Sequence, residues 1–315
     1  MKKLTKILTT LTLCLCLIFT GAIMVSCKDN SDKDKARLKS VSDVYGFAGM
    51  SAGTLLTENK VEEVNTFLKP AQSGSQLDVL TEGYNNVANV LNKYIEVFEG
   101  VVGGTNPVSS EIVDSDKNEY KTKIVATKTN LLSETVTCEM YFNEKTLNNT
   151  EVLNPNDKSF KVATTLEGIV VFTNAEGYII EMQLSGKKTV ENDGEVDVEI
   201  TLTKGSVNVK FNMETENNEQ EFGFKIYLSE QLIQEFEFDL ESVQDKIKLE
   251  LTTEILGVEN EFEVEQVFVN SEKHLKIKYE VLETEILVDV KVERQGENTI
   301  YTYLFPGNIE ITKIK

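Results

Sequence analysis

The sequence predicts an α+β protein in which N-terminal helices pack against a large, curved antiparallel β-meander of about fourteen strands, half-barrel or barrel-like. Three observations carry this expectation. Apolar residues recur at helical spacing between Leu38 and Phe98. From Glu119 the period changes to two and holds almost to the C-terminus. The polar sides of successive two-period runs also alternate in sign, as suits strands paired with their sequence neighbours.

The chain begins with Lys2, Lys3 and Lys6 and an uncharged apolar run from Ile7 to Thr20, the layout of a secretory leader. A membrane span takes roughly 20 apolar residues, so the run is short for one, and the charged stretch from Lys28 to Lys35 follows it at once. A signal peptide over residues 1–26 is therefore favoured over an uncleaved anchor.

The leader closes on Met24, Val25, Ser26 and Cys27, with small and apolar residues directly before the cysteine. This stretch resembles the lipobox of bacterial lipoproteins, with Met24 at the position where that family usually carries Leu. The resemblance covers residues 1–27 alone. It implies a diacylglyceryl group on the Cys27 thiol, cleavage just before it, and an exported protein held at the bacterial cell envelope by that lipid. Two acyl chains bring on the order of 30 methylenes at ~0.8 kcal/mol each when buried, far past the marginal hold of a single chain. Residues 28–37 are polar and aperiodic, so 27–37 reads as a lipidated tether.

Charge and cysteine count narrow the partners. The chain carries 32 basic and 52 acidic side chains, a formal net charge of −20, and loss of the three leader lysines makes it more negative still. Nucleic acid and anionic headgroups are repelled by such a surface. Of 4 cysteines, Cys14 and Cys16 leave with the leader and Cys27 is the lipidation candidate, so Cys138 has no partner for an intramolecular disulfide or a cysteine-rich zinc site.

The helical segment spans 38–104. Val41, Val44, Ala48, Ala52 and Leu55, then Val61, Val64, Phe67 and Leu68, fall at helical spacing before Pro70. Gly46, Gly49, Ala52 and Gly53 form a small-residue surface within it. No strand precedes these glycines and no Lys-Ser/Thr pair follows them, so they predict close approach by another backbone and not a phosphate loop. A second helix is predicted from Leu77, Leu80, Tyr84, Val87, Leu91, Tyr94 and Phe98, ending at Gly100, Gly103 and Gly104. The opposite face, with Asn85, Asn86, Asn89, Asn92 and Glu96, lacks interhelical charge patterning. The seam therefore reads as an intramolecular core face and not as a coiled coil.

After the linker Asp114 to Asn118, residues 119–315 read as the meander. Runs such as Val196, Val198, Ile200 and Leu202, or Ile286, Val288, Val290 and Val292, alternate with polar residues. Turn signals at Asn174 to Gly177, Lys204-Gly205, Asn270-Ser271 and Pro306 to Asn308 predict hairpins. Glu235, Glu237 and Asp239 make one run acidic and Lys246 and Lys248 begin the next as basic, while Glu261, Glu263 and Glu265 return to acidic and Lys276 and Lys278 to basic. Phe262 and Val264 lie on one parity and Val267 and Val269 on the other, which predicts a bulge at Gln266.

One apolar sheet face and one apolar helix seam are each unsatisfied alone, so the helices are expected to cover the concave face. That arrangement looks like the periplasmic lipoprotein-carrier family and its lipid-binding relatives, which the likeness implies would enclose an apolar cavity; no motif accompanies it. An outer-membrane barrel is disfavoured by the absence of Trp and of an aromatic girdle.

No constellation supports an enzyme or a cofactor. His274 shares a parity with Lys276 and Lys278 on the polar face. The Ser-x-x-Lys spacing of Ser185 to Lys188 lies in a predicted hairpin turn without its companion motifs. Asp114, Asp116 and Asn118 lack the glycine and closing glutamate of a calcium loop. Cys138 shares its parity with Val136, Met140 and Phe142, a buried thiol. The expected function is a membrane-anchored lipoprotein that binds a lipid or other hydrophobic ligand between sheet and helices. The alternative is a structural or adhesive surface lipoprotein with a dry core. Nothing in the pattern sets an oligomeric state, and Cys27 is the one candidate site residue.

Overall fold

The computed structural model describes residue 38, residues 40–57, residues 83–95 except 90, 93 and 94, and residues 108–314 except 131, 148–150, 155–158, 192–194, 217–218, 244–245, 256–257, 270–271, 282–283 and 297. All belong to one compact unit, Lys33–Lys315. The leader, Cys27 and the tether lie outside the described residues, as does the second half of the first predicted helix.

Helix α1 spans Val41–Thr57. Its start is set by a capping box: Ser40 Oγ accepts from the Asp43 backbone N–H at 3.1 Å, and Asp43 Oδ2 accepts from the Ser40 N–H at 3.0 Å. The other oxygen of Asp43 leaves the helix, accepting from the Ser110 backbone N–H at 3.1 Å and from its hydroxyl at 2.6 Å. One carboxylate thus caps a helix and occupies a backbone donor of strand β1.

Sixteen strands follow among the described residues, in one antiparallel sheet whose order is the sequence order, except that β4 lies off the main path and pairs with β5. They are β1 (Ser109–Val113), β2 (Thr122–Thr129), β3 (Thr135–Thr146), β4 (Glu151–Asn154), β5 (Ser159–Thr173), β6 (Ile179–Glu191), β7 (Val196–Lys204) and β8 (Val207–Glu216). After these come β9 (Glu219–Leu228), β10 (Gln231–Val243), β11 (Lys246–Ile255), β12 (Val258–Val269), β13 (Glu272–Val281), β14 (Thr284–Gln295), β15 (Asn298–Phe305) and β16 (Ile309–Ile314). The meander predicted from period and charge is the observed topology. Two strands escaped the reading: β1, which precedes the presumed linker, and β4, which continues the line of β3 along the same edge of β5.

Three local expectations are corrected. No register shift occurs at Gln266: β12 and β13 pair without interruption from Glu261↔Glu280 to Val269↔Glu272. The bulge lies instead in β10, between Leu232 and Gln234. Ser185 to Lys188 is not a turn but the interior of β6, where Gly186 sits opposite Leu166 and Ile200. On the second helix, residues 83–89, 91, 92 and 95 are helical, and the buried face centres on Ala88, Leu91 and Ile95 while Tyr84 and Val87 are half-buried. Leu91 belongs to the predicted stripe, and Ala88 and Ile95 lie one residue beyond its Val87 and Tyr94 positions, so the buried face overlaps the stripe and is turned slightly from it.

Among the described side chains the core is continuous from α1 through strands β2, β3, β5 to β10 and β12 to β16. Residues 44–55 are buried without a break, Ser51 and Thr54 included. A helix buried on every side needs walls on every side, and the sheet supplies them by curving round it. Ala126 of β2, Cys138 and Met140 of β3 and Val170 and Phe172 of β5 lie against Gly46, Gly49 and Gly53. From another side the Phe47 ring meets Phe211, Phe222 and Phe224 of β8 and β9 at 5.8 to 6.2 Å.

The small-residue surface is the close-approach seam that the sequence predicts. A Cβ at Gly49 would lie 2.6 Å from Cys138 Sγ, and one at Gly46 or Gly53 would strike the Ala126 methyl or the Phe172 ring. At Gly83 a Cβ would meet nothing within 4 Å. Overfilling a core costs about 1–3 kcal/mol, while Gly to Ala in a helix gains at most ~1 kcal/mol. Chemical denaturation should therefore show Gly46→Ala and Gly53→Ala destabilised by about 1 kcal/mol or more, with Gly83→Ala unchanged or stabilised. Asp43→Ala should cost about 1–2 kcal/mol in the same assay, since it strips a helix cap together with a strand-edge acceptor; a loss under a few tenths would contradict the double role.

Candidate functional site

Alternation with period two places Phe224, Ile226, Phe236, Phe262, Val264, Leu275, Ile277, Tyr279, Val288 and Val290 on one face, all buried. This inner face runs on from the strands that α1 covers. The second helical segment meets it at β15, where Tyr84 stacks on Phe305 with centroids 4.5 Å apart and the Tyr303 hydroxyl donates to Asn92 Oδ1 at 3.0 Å. Asn92, assigned from its spacing to the helix's polar face, is thus a sheet contact. The candidate site is the interior bounded by these two helical segments and the sheet.

The interior is not wholly apolar. Among the described residues the Tyr45 hydroxyl, on a residue 2% exposed, has no hydrogen-bond partner, and neither do Gln234 Nε2 and Gln266 Oε1. Gln266 is the physical result of the missing bulge: it stays on the inner parity opposite Leu275, while Val267 falls opposite His274. The Tyr45 ring meets Phe142 edge-on at 5.7 Å, and burial first, then the charge of Glu144, raises its phenol well above the ordinary value. Glu144, two residues beyond Phe142 on the same parity, pairs with Lys188 at 3.5 Å. Lys188 stands opposite Thr164, itself buried. The lysine of the Ser-x-x-Lys spacing thus lies on the inner parity of β6.

The sheet is held in its curve by a long-range clasp. Arg294 of β14 donates from Nε at 3.1 Å, and from Nη2, to Glu134 Oε1 in the β2–β3 turn, lies 3.7 Å from Glu176 in the β5–β6 turn, and donates to Thr299 Oγ1 at 2.9 Å. Late strands are thereby tied to the first hairpins across 160 residues.

The other residues that the sequence singled out are placed as follows. Lys123 pairs with Glu139 at 3.1 Å and Asp116 at 3.3 Å and lies over the Tyr141 ring at 4.8 Å, so Asp116 serves an ion pair. Cys138 is fully buried beneath Gly49, and burial drives its thiol pKa far upward. His274 Nδ1 lies 2.6 Å from Asp289 Oδ1 on the outer face. Cys27 falls outside the described residues. What the sequence reading missed here is Tyr45 and the Glu144–Lys188 pair, whose meeting depends on how α1 crosses the sheet.

No family model, no curated protein and no solved structure matches the chain.

Burial works to raise the Glu134 carboxyl pKa, but hydrogen bonds from Arg294 and Asn130 and the guanidinium charge outweigh it and hold the carboxyl below its ordinary value of 4.5. A group with a lowered folded pKa contributes its stability above the unfolded value and loses it as pH falls through the folded one. The stability gap between wild type and Arg294→Met should be about 0.5–1 kcal/mol near neutrality and should narrow as pH falls below the ordinary carboxyl value of 4.5. A gap independent of pH from neutrality to acid would rule the clasp out as an ionic one.

Proposed function

We propose that this chain is an exported lipoprotein, anchored at the bacterial cell envelope through a diacylglyceryl group on Cys27, that binds a lipid or other hydrophobic ligand between its helices and the inner face of its sheet. The leader and the Met24-to-Cys27 stretch support the anchor. The observation that carries the binding role is the reach of the apolar inner face beyond α1. The helix lies against β1, β2, β3, β5, β7 and β8, with Phe47 touching β9, while buried apolar residues continue through Phe236, Phe262, Leu275, Ile277 and Val288.

A second reading, a structural or adhesive surface lipoprotein with a dry core, draws support from α1 itself, whose glycine seam fills the early half of the interior to contact distance. The two separate in one experiment. Protein purified from its native host and extracted for mass spectrometry should release a stoichiometric lipid under the first reading; a protein that releases none is the structural one. For the anchor, Cys27→Ser should abolish acyl labelling and move the protein from the membrane to the soluble fraction, and retention with unchanged labelling would refute it.

A further inference from the structure

The polar end of the interior has one group that the described residues leave unused. Tyr45 buries a hydroxyl with no partner among them, and an orphaned buried hydroxyl is costly unless something meets it. Behind the half-exposed Glu144–Lys188 pair, whose side chains are 25% and 20% exposed, stands the buried Thr164. The set therefore runs from solvent to interior: an ion pair at the rim, a hydroxyl opposite the lysine in the β5–β6 ladder, and a lone phenol on Phe142. We propose that this end, with Tyr45 and Glu144 as its principal contacts, takes the hydroxyl-bearing head of a neutral amphiphile, of which a monoacylglycerol is the simplest case. The proposal rests on the hydrophobic-ligand reading given above.

The chemistry selects the head. Tyr45 stays protonated because burial and the neighbouring carboxylate both oppose its ionisation, so it can donate a hydrogen bond. Glu144 can only accept one when ionised. A ligand hydroxyl both accepts and donates, so one hydroxyl can take the phenol's hydrogen and give its own to the carboxylate. An anionic head would sit beside Glu144 within a chain of net charge −20, while the cation of an ammonium head would compete with Lys188 for the same carboxylate.

The test uses the full chain carrying Cys27→Ser, so that its own acyl anchor does not compete, with three probes sharing one acyl chain: 1-monooleoylglycerol, methyl oleate and oleate. The monoacylglycerol should bind about five- to tenfold tighter than the ester, and Tyr45→Phe should erase that preference. The melting temperature of unliganded Tyr45→Phe should hold or rise, since the substitution removes an unpartnered hydroxyl. A preference that survives Tyr45→Phe, oleate as the tightest probe, displacement by glycerol alone at equal concentration, or a marked drop in melting temperature that betrays a structural water would each overturn the proposal while leaving the hydrophobic-ligand reading in place. Failure of all three probes to bind would remove that reading as well.

Discussion

The fold depends on how closely α1 can sit on the sheet. Gly46, Gly49 and Gly53 present no side chain to β2, β3 and β5, so the helix axis drops to a distance at which Ala126, Cys138 and Phe172 fill the space that a Cβ would take. With the helix this deep, the sheet can continue round it and bring Phe211, Phe222 and Phe224 to the Phe47 ring. Raise the helix by one methyl group and both walls lose contact, because a close-packed interior has no slack to absorb the shift.

Curvature has its own local causes. Gly168 in β5 lies where a Cβ would run into the backbone of Tyr141 and Phe142, and Gly186 in β6 where one would lie 2.7 Å from the Glu199 carbonyl oxygen. Strand glycines at close backbone approach mark bends, and these two lie on adjacent strands beneath the early part of the sheet. Arg294, on the inner parity of β14 beyond Val292, then joins that strand to the β2–β3 and β5–β6 turns. The covering of the curve by helices and its locking by a side chain thus lie on different elements far apart in sequence.

Much of this was legible because period two is a property of each strand alone. Strand after strand could be read from its own alternation, and hairpin turns such as Pro306 to Asn308 announced sequential pairing. The short strands β1 and β4 have too few residues to show a period, and their places follow from partners, β2 with Asp43 in one case and β5 in the other. The glycine seam could be seen as a close-approach surface but not what approached it. Tyr45 and Lys188 carried no signal toward each other, since one sits at a helical phase and the other at a strand phase, and only the crossing of α1 over β3 relates them.

The way charges line up across the ladder shows which force sets register. Glu263 and Glu265 do fall opposite Lys278 and Lys276, and Lys278 reaches Glu263 at 3.5 Å. On β10, however, Glu235 stands opposite Glu254, and Asp239 opposite Glu250, while Lys248 is matched to Glu241. Further pairings align Glu214 with Glu221, Glu221 with Asp239 and Glu250 with Glu263, so like-charged positions form a row across five strands. Each such pair costs about 0.2–1 kcal/mol, whereas each large apolar side chain buried on the inner face contributes about 1.5–3 kcal/mol. A slip of one residue would improve some charge pairs but would turn Phe222, Phe224 and Phe236 to solvent together. The same inequality keeps Gln266 inside: one unsatisfied amide costs less than reversing the parity of Phe262 and Val264 against Tyr279 and Ile277. Surface charge therefore indicates which strands are neighbours in this sheet, and the apolar face decides which residues are.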